Sequence, residues 1–331
     1  MRCAVIGAGA WGTALADLLA RNDHDVTLWA YEPDVAEAVN GRHANPRFLA
    51  GASLDPRLRA TTDIRSAAHG AELLTYAAPS HVLRDIVRAS AGAVAPRARL
   101  VVATKGIERG SLMVMTDVVA EELPGRPVVA LSGPSFAAEV AARQPSAVVA
   151  ASSDAGAARE AQHAFSGESF RVYTHDDVMG VELGGALKNV IAVATGMAEG
   201  LGLGYNPRAA LITRGLAEIT RLGVALGASP STFAGLAGVG DLVLTCTGAL
   251  SRNRALGMDI AKGASLEQLL AARETVAEGV VTTQSAHAMA AREGIEMPIV
   301  TAVYRILFEG QSPRAAIGEL MARELRPERD P

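Results

Sequence analysis

Short apolar runs rich in Val, Leu, Ile and Ala recur along the first half of the chain, at residues 3–6, 26–29, 73–77, 100–103, 128–131 and 147–150. Runs of this length between Gly, Pro and polar residues read as strands, and helical stretches fill most of the gaps, so the alternation predicts a parallel sheet flanked by helices. Segment 40–62 breaks the rhythm: Gly41, Pro46, Gly51 and Pro56 interrupt any helical period and predict an irregular excursion. A last strand-like run, Phe170-Arg-Val-Tyr173, is followed by polar residues. From about Met179 the strand signals stop and long segments of helical period take over. The expected fold class is α/β, with a doubly wound sheet domain over residues 1–178 and an all-α domain over 179–331.

The first strand runs directly into Gly7-Ala-Gly9-Ala10-Trp11-Gly12, which opens the helical stretch 13–21 and reaches the next strand at Val26. In this setting the first glycine makes a tight turn, the second lets backbone approach a pyrophosphate, and the third allows close packing of helix on strand. Helix N-terminal amides then face the phosphates. The N-terminal domain is therefore expected to be Rossmann-like and to bind a dinucleotide. At the end of the second strand, Tyr31-Glu32 occupies the place that reads the adenosine ribose; Glu32, 20 residues beyond Gly12, suits a 2′-hydroxyl and favours NAD, or else is a solvated loop residue.

One lysine interrupts an apolar helical run, Val181-Glu-Leu-Gly184-Gly185-Ala-Leu-Lys188-Asn189-Val-Ile. Its side chain leans back over Gly184 and Gly185, so the expectation is a lysine in an apolar wall with space beside it. Desolvation lowers a lysine pKa and makes it an acid or base near neutrality. Alone, such a residue is more often one that snorkels to water. Lys105, after the fourth strand, sits at the carboxyl edge where ligands of open α/β sheets collect. The loop Ser132-Gly133-Pro134-Ser135-Phe136-Ala137 follows the fifth strand and reads equally as a ligand loop or as a turn with Ser135 capping. Asp241 ends a Gly-rich loop, as a helix N-cap or as an acid in a site. Ser251-Arg252-Asn253-Arg254 concentrates donors suited to phosphate, or carries surface ion-pairing arginines. The nucleotide fold, Lys105 at a strand end and the Ser251–Asn253 donors together turn the weighting of Lys188 toward catalysis.

Composition narrows the classes. With 49% hydrophobic and 20% charged residues and a net charge of −4 without long like-charge blocks, no nucleic-acid surface is expected. The longest uncharged stretch, 222–240, is broken by five Gly and one Pro and reads as a helix end and loop, so no stable membrane insertion is expected. Two cysteines, Cys3 and Cys246, form no disulfide framework and fit a reducing, cytoplasmic setting; no secretory signal is expected. The seven histidines form no HxxxH pair and there is no CxxC, so no metal site is expected.

Taken in order, blocks 7–12, 103–106, 132–137, 184–189, 213–218, 238–247 and 251–253 make the chain resemble the bacterial NAD(P)-dependent glycerol-3-phosphate dehydrogenases over nearly its whole length. The resemblance implies NAD or NADP as cofactor and reversible reduction of dihydroxyacetone phosphate to sn-glycerol 3-phosphate, the backbone of phospholipids, by a homodimer. At the matching positions it implies Lys188 as general acid and base. Lys105, Gly133, Ser135, Lys188, Asp241, Ser251, Arg252 and Asn253 would line the substrate site. Gly7, Gly9, Ala10, Trp11, Gly12, Tyr31, Glu32, Lys105, Ala137, Arg252, Val276 and Glu278 would contact cofactor. Lys105 beside Lys188 would lower the Lys188 pKa, with Asp241 opposing. Members that use NADPH often carry Arg just after the second strand, where this chain has Tyr31-Glu32. The competing readings are another two-domain dehydrogenase of the β-hydroxyacid type, in which lysine and asparagine lie a helical turn apart, and a non-catalytic NAD(H) sensor, for which no interaction module is visible.

Overall fold

The computed structural model describes residues 1–272, 278–325 and 327–328. The apolar runs become β1 (Arg2–Ile6), β2 (Asp25–Trp29), β4 (Leu73–Tyr76), β5 (Arg99–Val102), β6 (Val128–Ser132), β7 (Ser146–Ala151) and β8 (Phe170–His175), joined by a short β3 (Arg59–Thr61). They form one sheet in the order β3-β2-β1-β4-β5-β6-β7-β8. Successive side chains of a strand point to opposite faces. Accordingly Cys3 and Val5 join a core with Leu15, Leu28, Val101 and Phe165, whereas Ala4 and Ile6 join the opposite core with Tyr76, Leu83 and Val118. Helices cover both faces, as the doubly wound expectation requires.

Two features depart from the sequence reading. β3 lies inside the excursion expected to be irregular; Arg-Ala-Thr is too short and polar to show a strand period, and it exists by pairing with β2 from Thr27↔Arg59 to Trp29↔Thr61. The sheet is also not parallel throughout, because β7 runs antiparallel to β6 and β8 follows β7 in parallel. The chain returns after a short connection through the helix Ala137–Ala141, and Gly133 (φ +140°) accommodates the close approach that results, since a Cβ there would stand 2.9 Å from Val148 Cα.

β8 ends at His175 and Asp177 caps the next helix, Val178–Gly200, by accepting from the Gly180 amide. Asp177 also accepts from the Ser229 amide and the Thr232 hydroxyl, tying that helix start to the turn that follows Tyr205–Ala225. Val178–Gly200 is apolar on nearly every side because it runs through the middle of the helical half, its Leu183, Leu187, Val190 and Ile191 packing with Phe233, Leu256 and Val300. Among the described residues it is the one helix long and apolar enough to cross a membrane, yet 89% of its most apolar window is buried by protein.

A buried acid, Glu218 on Tyr205–Ala225, accepts from the amides of Ile299 (2.7 Å) and Val300 (3.2 Å) and so caps the helix Pro298–Phe308 from outside. Burial pushes its carboxyl up to about 7, and the two amide bonds oppose the rise. The folded chain thus holds this proton more tightly than the unfolded chain, and the linked stability falls as pH rises from about 4.5 toward about 7. Glu218→Gln, neutral at every pH, is expected to flatten the fall in Tm across that window. Parallel Tm curves for wild type and variant would refute this assignment.

Candidate active site

Strand order reverses between β1 and β4, and in open α/β sheets the crevice at the carboxyl ends of such strands takes the ligand. Here that crevice is a cleft of about 1010 Å³ running from the Gly-rich turn to the helical half. Gly7 turns at φ +117°, and a Cβ on Gly12 would lie 1.8 Å from the Gly7 carbonyl, so only glycine lets the helix Ala10–Arg21 start against the turn. Gly9 is the N-cap, has no side chain to satisfy the first amides, and has open space beside it. Trp11 lines the cleft with its indole Nε1 buried and without a hydrogen-bond partner. Uncovered amides at a helix N-terminus together with an unused donor fit the pyrophosphate and neighbouring groups of a dinucleotide. Ala10, Tyr31 and Glu32 line the same cleft; Tyr31 is 79% exposed and meets Trp29 edge-on at 6.4 Å.

At the other end one carboxylate joins both lysines. Asp241, only 1% exposed, accepts from Lys188 Nζ at 2.5 Å through Oδ1 and from Lys105 Nζ at 2.6 Å through Oδ2. Lys188 Nζ also donates to Thr245 Oγ1 at 2.9 Å, and Lys105 Nζ to the Gly133 carbonyl at 3.2 Å. An ammonium has three donors, so each lysine keeps one N–H beyond these bonds, and both lysines line the cleft. Burial brings Lys188 down to about 8; the Asp241 carboxylate opposes that fall and the Lys105 ammonium adds to it. Burial alone would raise Asp241, yet the Lys105 and Lys188 ammoniums together hold it below its usual range. The arrangement is a proton donor poised near neutrality beside a second positive charge.

Asp241 is the first residue of its helix and its side chain makes no cap, so the capping alternative falls away. Thr245 lies four residues on, one turn along the same helix face, which puts its hydroxyl on Lys188. Ser135 does not cap either: its Oγ donates to the Gly133 carbonyl at 3.0 Å, and the cap position of Ala137–Ala141 belongs to Phe136. Ser251 does cap, accepting from the Arg254 amide at 3.2 Å, which leaves its hydroxyl proton to donate. Arg254 turns away from the cleft into a two-pronged ion pair with Glu199 (2.6 and 2.8 Å). Asn253 donates to Asn189 Oδ1 at 2.9 Å and accepts from the Gly279 amide at 3.0 Å, locking the residue after Lys188 to two other helices. Glu278 accepts from the Ser80 amide (3.2 Å) and hydroxyl (2.5 Å) across the cleft; burial raises its carboxyl, and the Ser80 bonds hold it down.

Of the expected site residues, Gly7, Gly9, Ala10, Trp11, Tyr31, Glu32, Lys105, Ser135, Ala137, Lys188, Ser251, Arg252, Asn253 and Glu278 line one cleft. Gly12, Gly133 and Asp241 stand behind its wall and act through the turn, the Ser135 and Lys105 contacts, and the lysines respectively. Val276 lies outside the described residues. The space expected beside Lys188 is not open: a Cβ on Gly184 would lie 2.4 Å from the Ala237 carbonyl and one on Gly185 2.5 Å from Ser132 Oγ. These glycines let protein, not ligand, come close. The sequence reading assigned no role to Thr245, Ser80, or Arg47 and Phe48 of the excursion, although all bear on the cleft. Only Thr245, spaced four from Asp241, left a signal. Among the described residues no group of His, Cys, Asp and Glu is placed to hold a metal ion.

Comparison with known proteins bears on the same cleft. Residues 2–158 match the profile of the NAD-dependent glycerol-3-phosphate dehydrogenase N-terminus, and residues 177–318 that of its C-terminus. The chain is 54% identical over 331 residues to a glycerol-3-phosphate dehydrogenase [NAD(P)+] of Geobacter sulfurreducens, covering 99% of each chain. It is 52% identical to the protein of that name in Myxococcus xanthus, again over 99% of this chain. The crystal structure of glycerol-3-phosphate dehydrogenase from Coxiella burnetii superposes with a TM-score of 0.94 at 40% identity, covering 97% of this chain and 99% of that one.

Proposed function

The chain belongs to the NAD-dependent glycerol-3-phosphate dehydrogenase family, and from that premise we propose that Lys188 is the proton donor and acceptor of its reaction. The protein is an NAD(P)-dependent oxidoreductase that interconverts dihydroxyacetone phosphate and sn-glycerol 3-phosphate. The observation that carries the mechanism is the buried Asp241 carboxylate shared by Lys105 and Lys188 at the cleft wall. The Gly-rich turn and the end of β2 would hold NAD(P)H, which when bound would supply the hydride for the carbonyl carbon. As the carbonyl oxygen gains negative charge, the remaining N–H of Lys188 hands it a proton, and the nearby Lys105 ammonium stabilises the charge before transfer is complete. In the oxidation direction neutral Lys188 removes the alcohol proton. Asp241 and Thr245 hold Nζ in place for both directions.

Arg252 and Asn253, with the Ser251 hydroxyl at a helix start, form the donor set assigned to the substrate phosphate. Lys105 and the 133–135 loop complete the substrate wall, while the Gly-rich turn, Tyr31, Glu32, Ala137, Arg252 and Glu278 take the cofactor. Residues 1–178 would act as the nucleotide-binding unit and 179–331 as the substrate-binding unit. A cytoplasmic setting accords with Cys3 and Cys246, both free and buried. The homodimer and the supply of phospholipid backbone rest on the family resemblance.

The test is discrimination between phosphorylated and plain ketone. We expect kcat/KM for dihydroxyacetone phosphate to exceed that for dihydroxyacetone by on the order of a hundredfold, with Arg252→Ala shrinking the ratio mainly through KM. Equal turnover of the two ketones, or turnover of unphosphorylated hydroxyacids alone, would sink the reading.

A further inference from the structure

The excursion between β2 and β4 takes no part in the chemistry above, yet it is fixed over the cofactor cleft. Asn45 is fully buried; its Nδ2 donates to the Ala8 carbonyl and to Thr13 Oγ1, each at 2.8 Å, and its Oδ1 accepts from the Phe48 amide at 3.1 Å. The backbone that carries Arg47 is thereby anchored to the Gly-rich turn and the helix after it. From that anchor the Arg47 guanidinium lies 5.3 Å over the Phe48 ring, and its Nη1 comes within 3.7 Å of Asp34 Oδ1. Asp34 is two residues past Glu32, so Arg47 reaches the end of β2 from a different part of the chain, and Arg47, Tyr31 and Glu32 all line the cleft.

The end of β2 is where the 2′ position of the adenosine ribose is read: a carboxylate there accepts from a hydroxyl, and an arginine accommodates a phosphate. Glu32 meets the first requirement. No arginine stands directly after β2 in sequence, where Tyr31-Glu32 lies, but the fold brings one there in space. We propose that Arg47 is the residue that recognises the 2′-phosphate of NADPH, so that one cleft takes NADH through Glu32 and NADPH through Arg47. Asp34 serves as the arginine's counter-ion when the 2′ group is a hydroxyl and gives way to the phosphate. A planar guanidinium offers a phosphate paired donors, and its exposed place makes the contact sensitive to salt. The proposal rests on the dinucleotide reading of this cleft and adds to it which residue sets cofactor range.

Equilibrium titration of full-length protein with NADH and with NADPH, by calorimetry at low and moderate salt, tests it without turnover. Wild type is expected to bind both, the NADPH affinity falling faster with salt. Arg47→Ala should weaken NADPH by on the order of tenfold or more and NADH by less than about twofold. Asp34→Asn, which removes this competing carboxylate from beside the guanidinium, should tighten NADPH alone. Equal losses for both cofactors in Arg47→Ala would mean that Arg47 merely supports the excursion, and no loss for either would mean that the phosphate is read elsewhere; both overturn the proposal. Wild type that binds NADH and not NADPH also overturns it while leaving the dinucleotide reading intact. Failure to bind either cofactor would strike the dinucleotide reading itself.

Discussion

Lys188→Ala is expected to lower kcat for reduction of dihydroxyacetone phosphate by about 10²- to 10⁴-fold, the range that a positioned general acid contributes. The fold should survive the change, because Asp241 keeps its bond to Lys105 and is not left as an unpaired buried charge. Cofactor binding should stay near the wild-type value, since the Gly-rich turn, Trp11 and the end of β2 lie on other elements. The loss therefore belongs in kcat, with the dissociation constant for NADH or NADPH little changed. Lys188→Arg should be nearly as impaired, because a guanidinium stays protonated and cannot shuttle the proton. A Lys188→Ala enzyme with near-normal kcat would remove this residue from its role.

Asp241→Asn is expected to do comparable harm by another route. The carboxylate opposes the burial that brings Lys188 down to about 8, so its removal sends that value lower and leaves less ammonium at neutral pH. Reduction should weaken and its pH optimum should move toward acid. Removing one partner of a buried ion pair also costs about 3–5 kcal/mol, so Tm should drop markedly. The sign of its pH dependence follows from linkage: the unfolded lysine holds its proton up to about 10.5 while the folded one loses it earlier, so between those values the unfolded state binds more protons and stability rises with pH. The variant should therefore recover part of its Tm in mildly alkaline buffer. A variant with wild-type Tm and an unshifted pH optimum would show that Asp241 does not govern Lys188.

The parts of this site that were legible in sequence are those built from near neighbours. Gly7 and Gly9 sit between a strand and a helix, with Gly12 in that helix's first turn, and announce the turn, and the uninterrupted apolar runs announce buried strands. Lys105 was readable from its place at a strand end. Lys188 stood out only as a charge in an apolar helix, and the reason it is tolerated, a carboxylate 53 residues away, is a tertiary fact. Asp241 was equally a cap by its local pattern, and the structure chose between the two readings. Gly184 and Gly185 suggested space for ligand, whereas the helix uses them to approach Ala237 and Ser132. β3 left no signal because three residues at a sheet edge, two of them polar, carry no period, and the reversal of β7 depends on the path of the connection 133–145, whose direction no run of side chains encodes. Arg47 was hidden for the same reason: its meaning depends on Asn45 folding the excursion back onto Ala8 and Thr13.

The most direct test of the central claim, that Lys188 donates the proton, is the pH dependence of kcat/KM for reduction, measured side by side on wild type and Lys188→Ala. Wild type should be active below about 8 and lose activity above it as one group deprotonates, while the reverse oxidation gains activity through the same range. Lys188→Ala should be slow and show no bend there. A bend that persists unchanged in Lys188→Ala would contradict the account, since the titrating group would then be some other residue.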